Sequence, residues 1–161
     1  MYRIGDHLVY GTSGVCLVDD VCACPFDKND HRTFYILKPI NGTASSVIYT
    51  PVENDRISMR PLSTPEEAEA VLANAQAIPL LTVTQEKARR EVYRNAIATG
   101  ELAAYVALIK TVRARRAEFA GTQRRLPDFE LDYESTAKRH LYTELSLVLG
   151  RPLAEIEERL S

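Results

Sequence analysis

The 161 residues hold 20 Lys/Arg against 22 Asp/Glu, so a formal charge of −2 gives no global pull toward nucleic acid or an anionic membrane surface. No apolar run approaches the roughly 20 residues of a membrane span. Polar and charged residues from Arg3 onward argue against a signal peptide, and three cysteines, an odd number, argue for a reducing cytoplasm over a disulfide framework.

The first 62 residues read as short strands separated by turn residues. Candidate strands are His7–Tyr10, Val15–Ala23, Thr33–Lys38, Ser46–Thr50 and Arg56–Arg60, rich in Val, Ile, Tyr and Phe. Five short strands in so few residues predict a small curled barrel of the SH3 or Tudor type. Gly11-Thr-Ser-Gly14 invites a phosphate-loop reading, but Val-Cys-Leu-Val follows it, a strand where such a loop needs a lysine and a helix. The two glycines are expected to turn the first hairpin with positive φ. Asn41-Gly42-Thr43 reads as a tight turn. Cys22 and Cys24 lack the two-residue spacer of zinc knuckles and are expected to be small buried hydrophobes, although a metal or thiol site with His31 is an alternative. The three histidines lie in separate elements and Asp19 and Asp20 have no evident acid–base partner, so no catalytic set emerges. No enzyme activity, cofactor or metal is expected.

Near residue 62 the period becomes helical. Thr64-Pro65-Glu66-Glu67 is a capping box with proline at the first helical position, and Ala68, Val71, Leu72 and Ala75 share a face up to Ile78-Pro79. A second helix is predicted from about Thr84 to Thr99, closed by Gly100, and a third starts at Glu101 with Leu102, Tyr105, Val106, Ile109 and Val112 inward. A fourth spans Asp128 to Leu149 with Tyr133, Ala137, Leu141, Leu145 and Val148 inward. Gly150-Arg-Pro152 breaks it before a last short helix with Leu153, Ile156 and Leu160. The class is α+β, with two small domains: an SH3/Tudor-like barrel over 1–62 and a compact α-helical bundle over 63–161.

Charge is uneven within the helical part. Gln85 to Arg125 holds ten Lys/Arg against four Asp/Glu, and Leu126 to Ser161 holds four against eight. Lys87, Arg90 and Arg94 fall on one face of the second helix with Arg89 beside them, and Lys110, Arg113, Arg115 and Arg116 crowd the end of the third. Arg124 and Arg125 lie in the loop after it. Such a cluster is either a phosphate-binding patch or a solvated face whose cations serve the helix dipole.

The succession "RIGDHLVYGTSGVCLVDDV", "TFYILKP", "VIYTPVEN", "MRPLST", "ATGELAAYVALIKTVRAR" and "HLYTELSLVLG" resembles the CarD family of bacterial transcription regulators from Arg3 to Leu160. The N-terminal part is also similar to the RNA-polymerase-interaction domain of the transcription-repair coupling factor. The resemblance implies a barrel that docks on the polymerase β subunit through a strand edge. It also implies a helical domain that contacts promoter DNA at the upstream edge of the bubble and modulates open-complex stability. By position, polymerase contacts would be Arg32, Val47, Ile48, Tyr49 and Thr50, with the preceding region 24–32. Tyr49 stands where the family often has a basic residue. DNA contacts would be Lys87, Arg89, Arg90, Arg94, Arg113 and Arg116. The chain has no tryptophan, whereas well-studied members wedge one against the minor groove, and Glu86 stands at about that place. The fourth helix opens with Asp128, Glu130, Asp132 and Glu134, so DNA contact is expected to be weak and sequence-nonspecific. The alternatives are a polymerase-binding adaptor with little DNA contact and, more remotely, a metal or thiol protein using Cys22, Cys24 and His31.

Overall fold

The computed structural model describes residues 1–43 and 45–161 and has an α+β arrangement, five strands followed by five helices. The chain divides into two compact units, Met1–Leu62 and Ser63–Ser161.

In the first unit, β1 (His7–Tyr10), β2 (Gly14–Ala23), β3 (Thr33–Pro39), β4 (Ile48–Pro51) and β5 (Met59–Pro61) form one antiparallel sheet in the order β4-β3-β2-β1-β5. The period-two pattern aims Leu8 and Tyr10 of β1, Cys16 and Val18 of β2, and Tyr35 and Leu37 of β3 into one core. Gly11 (φ +45) and Gly14 (φ +73) bracket the 3-10 turn between β1 and β2 as expected. A Cβ on Gly11 would lie 2.5 Å from Ile57 Cγ2, so its lack of a side chain is needed for packing as well as for the turn.

The β2–β3 register shifts between Val18 and Asp20. This bulge changes the parity of the inward positions, so Val21 packs on the core that Cys16 and Val18 entered. The same phase change corrects the expectation for Cys22 and Cys24, which are half-buried. Cys16 is the buried thiol of the strand, and burial pushes its pKa up to about 12.

The last two strands are shorter than expected. The strand expected at Ser46 starts at Ile48, and the one expected at Arg56 starts at Met59. The second delay has a local cause. Asn54 folds the chain on itself: its Oδ1 accepts from the Arg56 and Ile57 N–H groups (3.1 and 3.3 Å), and its Nδ2 donates to the Ile57 carbonyl (2.7 Å). An Asx turn of this kind competes with the ladder.

In the second unit, α1 (Pro65–Asn74) carries the expected capping box: Glu67 N–H donates to Thr64 Oγ1 at 3.1 Å and Thr64 N–H to Glu67 Oε1 at 3.4 Å. The α-helix ends at Asn74, whose side-chain amide donates to the Ala70 carbonyl, and a 3-10 turn continues to Ala77. The carbonyls of this end converge on Lys110, whose Nζ donates to Ala75 and Gln76 at 3.0 Å and also to Ile78. The second helix starts later than predicted: Glu86–Ala88 is a 3-10 turn, and α2 spans Arg89–Thr99, closed by Gly100 in the left-handed region. α3 (Leu102–Phe119), α4 (Asp128–Leu149) and α5 (Leu153–Leu160) occupy the expected segments, but of the three apolar residues of α5 Ile156 is buried, Leu160 packs partly on the core and Leu153 is exposed. Their core joins Leu72, Tyr93, Leu108, Leu141, Leu145 and Ile156. Among the described residues no helix is long and apolar enough to cross a membrane.

Candidate functional site

Two surfaces hold the residues singled out from the sequence, one in each unit.

The first is the outer edge of β4. This strand pairs with β3 alone, so its other edge offers unmatched backbone groups among the described residues. Alternation along it is clear. Ile48 packs against the core and Thr50 is buried, whereas Tyr49 is 42% and Val47 37% exposed. Tyr49 does not stand alone. Phe26, 70% exposed in the β2–β3 loop, meets it edge to face with ring centroids 5.0 Å apart. A largely exposed phenylalanine is costly to leave in water and marks a contact surface more strongly than a scattered leucine does. Arg32 lies on the same side. Its guanidinium makes a bidentate pair with Asp30 (2.7 to 3.1 Å) and lies 5.4 Å from the Phe34 ring centroid. That pair holds the Asp30 carboxyl well below the usual carboxylate range. Arg32 is therefore engaged with a neighbour, while Val47 and Tyr49 face solvent.

The second surface is the cation-rich part of the helical unit, and here the structure separates what the sequence grouped. Lys87, in the 3-10 turn before α2, and Arg90 and Arg94 on α2 are exposed. Arg90 lies 4.6 Å from the Phe129 ring centroid, and Arg94 makes a solvent-exposed pair with Glu91 at 3.3 Å. Arg89 turns the other way and is 7% exposed. It donates to both oxygens of Glu86 (2.6 and 2.9 Å) and to Tyr93 Oη at 3.3 Å. The Glu86 carboxylate is the chief reason the Arg89 pKa is raised, and Arg89 in turn lowers that of Glu86. Arg113 is half-buried and donates to the Leu160 carbonyl at 3.0 Å. Arg116 pairs with Glu134 at 2.7 Å.

Behind α2 lies a buried network that the sequence reading missed. Glu130, fully buried on α4, accepts from Tyr93 Oη at 2.6 Å and from Arg115 Nε and Nη2 at 2.8 and 3.1 Å. Burial, with the Glu130 carboxylate as second cause, pushes the Tyr93 hydroxyl up to about 12. Arg115 also reaches Glu86 Oε1 at 3.6 Å. The acidic start of α4 thus splits in two: Glu130 and Glu134 neutralise arginines of α3, while Asp128 and Asp132 face solvent. The signal was present in the spacing, since Glu130 and Glu134 continue the inward face of Ala137 and Leu141 by helical steps.

Cys22, Cys24 and His31 are not brought together in a three-ligand group. Among the described residues no group of three or more His, Cys, Asp or Glu side chains is arranged to hold an ion.

Residues 2–63 match the family model of the CarD-like/TRCF RID domain. The N-terminal unit is a CarD-like/TRCF RID domain. The RID domain thus carries the β4 edge, Phe26 and the Arg32–Asp30 pair. Residues 64–161, with all the cations of α2 and α3, lie outside the match. No curated protein matches the chain.

Proposed function

We propose that this protein is a transcription regulator that docks on the RNA polymerase β subunit through the β4 edge of its RID domain. The helical unit would then contact promoter DNA near the upstream edge of the bubble and modulate open-complex stability. In this reading the sheet is the SH3/Tudor-like barrel that the resemblance implies, and the helices form a compact bundle. One observation carries the proposal: a RID domain, which implies RNA polymerase as its partner, exposes a strand edge flanked by aromatic side chains. Strand addition draws affinity from main-chain hydrogen bonds and specificity from alternate side chains, here Val47 and Tyr49.

The DNA surface in this proposal is smaller than the sequence implied. Lys87, Arg90 and Arg94 point outward, whereas Arg89, Arg113 and Arg116 are engaged within the protein. With three phosphate contacts the salt slope of DNA binding would be about three, giving weak, sequence-nonspecific affinity. Tethering through the RID domain would raise the local concentration of those cations at the promoter.

The internal pairing of the other arginines favours the second reading, a polymerase adaptor with little DNA contact. The experiment compares full-length protein with the Lys87→Ala/Arg90→Ala/Arg94→Ala variant. Open-complex lifetime on a polymerase–promoter complex is followed at several salt concentrations. The regulator reading expects a shorter lifetime and a salt dependence reduced by about three units, with polymerase binding retained. An unchanged lifetime and salt dependence supports the adaptor. Tyr49→Glu places a charge on the docking edge and should abolish polymerase capture. Equal capture by wild type and Tyr49→Glu refutes the β4 site.

A further inference from the structure

Beside the β4 edge, within the RID domain, lies a cavity of about 630 Å³ whose walls include Phe26, Phe34 and Tyr49. Phe34 is buried against the sheet, and Phe26 and Tyr49 stand open at the rim in edge-to-face contact. Four carboxylates (Asp27, Asp30, Glu53 and Asp55) line the cavity against two cations, Arg32 and Arg56, so the lining carries a net charge of −2. Asp30 is committed to Arg32. Glu53 and Asp55 are exposed and make no ion pair among the described residues.

The cavity already shows what its walls hold. Arg32 sits 5.4 Å from the Phe34 centroid with its guanidinium forked onto Asp30, a cation between an aromatic face and a carboxylate. Ring and carboxylate also line the rest of the cavity, as Phe26 and Tyr49 with Glu53 and Asp55; Arg56 is exposed on the same lining, but among the described residues no ion pair joins it or any other cation to Glu53 or Asp55.

We infer that this cavity is a receptor for a cationic side chain, arginine or lysine, on the polypeptide segment that docks along β4. Two observations favour that occupant. The carboxylate excess disfavours an acidic or neutral apolar residue, and Tyr49, Thr50 and Pro51 belong both to the cavity wall and to the edge strand. A chain adding to β4 projects alternate side chains to one face, and one of those positions faces the aromatic rim. The occupant's cation would lie against the rings with its charge toward Glu53 and Asp55. The inference rests on the β4 docking reading for its macromolecular partner, although the cavity's chemistry can be tested without polymerase.

The test uses the full-length chain and two small probes, arginine amide and citrulline amide, which differ in replacing a guanidinium by a neutral urea. Backbone amide shifts are followed by NMR during titration to millimolar concentration. The expected result is a saturable shift confined to residues around 26, 49 and 53–57, at least about tenfold weaker with citrulline amide and suppressed by salt. Phe26→Ala, at an exposed position that leaves the core intact, should remove the arginine response. Glu53→Gln with Asp55→Asn should weaken it about tenfold. Equal responses to the two probes, shifts centred elsewhere, or a response that survives Phe26→Ala would overturn the inference. Polymerase capture by the same variants separates the two claims. A cavity that takes arginine amide in a protein that fails to capture polymerase contradicts the docking reading alone. Capture without any response to the cation contradicts the cavity alone.

Discussion

Replacing Glu130 by glutamine would remove one charge from the centre of the helical unit without changing its shape. Glu130 is fully buried and accepts three hydrogen bonds, one from Tyr93 and two from Arg115. A glutamine with its carbonyl at the Oε1 position can keep the Tyr93 and Arg115 Nε bonds, but as neutral-acceptor bonds. Each falls from about 2 kcal/mol for a charged acceptor to about 1 kcal/mol. The amide nitrogen then faces Arg115 Nη2, donor against donor, and a third bond of about 1.5 kcal/mol is lost. Arg115, only 15% exposed, keeps Glu86 at 3.6 Å as partial compensation. The sum is a loss of about 3 kcal/mol, at the lower end of what breaking a buried pair costs. The assay is urea denaturation of the full chain followed by helical circular dichroism, with wild type and Glu130→Gln fitted to a common slope. Tyr93→Phe should cost about 2 kcal/mol, and the double variant less than the sum, because both changes act on one carboxylate. A loss below about 1 kcal/mol for Glu130→Gln would refute the reasoning that these charged hydrogen bonds stabilise the helical unit.

Further outcomes follow from single contacts. Between pH 10 and 12 an unfolded tyrosine loses its proton while Tyr93 keeps it, so the native state binds more protons and stability falls with rising pH. The loss is about 2 to 3 kcal/mol, and it should be absent from Tyr93→Phe in denaturation curves across that range. Thr64→Ala removes the acceptor for Glu67 N–H and should lower stability by about 1 kcal/mol in urea. Gly11→Ala should destabilise by about 1 to 2 kcal/mol from its positive φ alone, and more because Ile57 must move; Ile57→Ala in the same chain should recover the second part.

Periodicity carried the helical half of the sequence reading well, because capping residues and apolar spacing are local signals. Thr64, Gly100 and Gly150 fall where the chain needs them, and α4 spans the expected residues. What local signals could not supply is competition. Asn54 delays β5 because a side chain offers the backbone a turn in place of a ladder, and a bulge at Asp19 reverses which strand positions face inward. At the candidate DNA surface the composition overstated the available charge for the same reason. Arg89 and Arg116 belong to the same cation-rich stretch of sequence as Lys87, but carboxylates three residues away or on another helix claim them first. Phe26 was visible as an aromatic residue in a polar turn. Its significance depends on Tyr49, a residue 23 positions later that only the sheet brings alongside.

The junction at Lys110 gives the unit a built-in reporter. Lys110 Nζ is enclosed by three carbonyls of the segment after α1, so an acylating reagent reaches it only when that segment lets go. Lys28 and Lys87 are exposed and should react with an amine-directed ester at once. The delay at Lys110 relative to these two, read by mass spectrometry, measures how often the connection between α1 and α2 opens. Acylation would also hold the segment open, since an amide nitrogen returns one proton to three acceptors and leaves the end of the turn without its clasp.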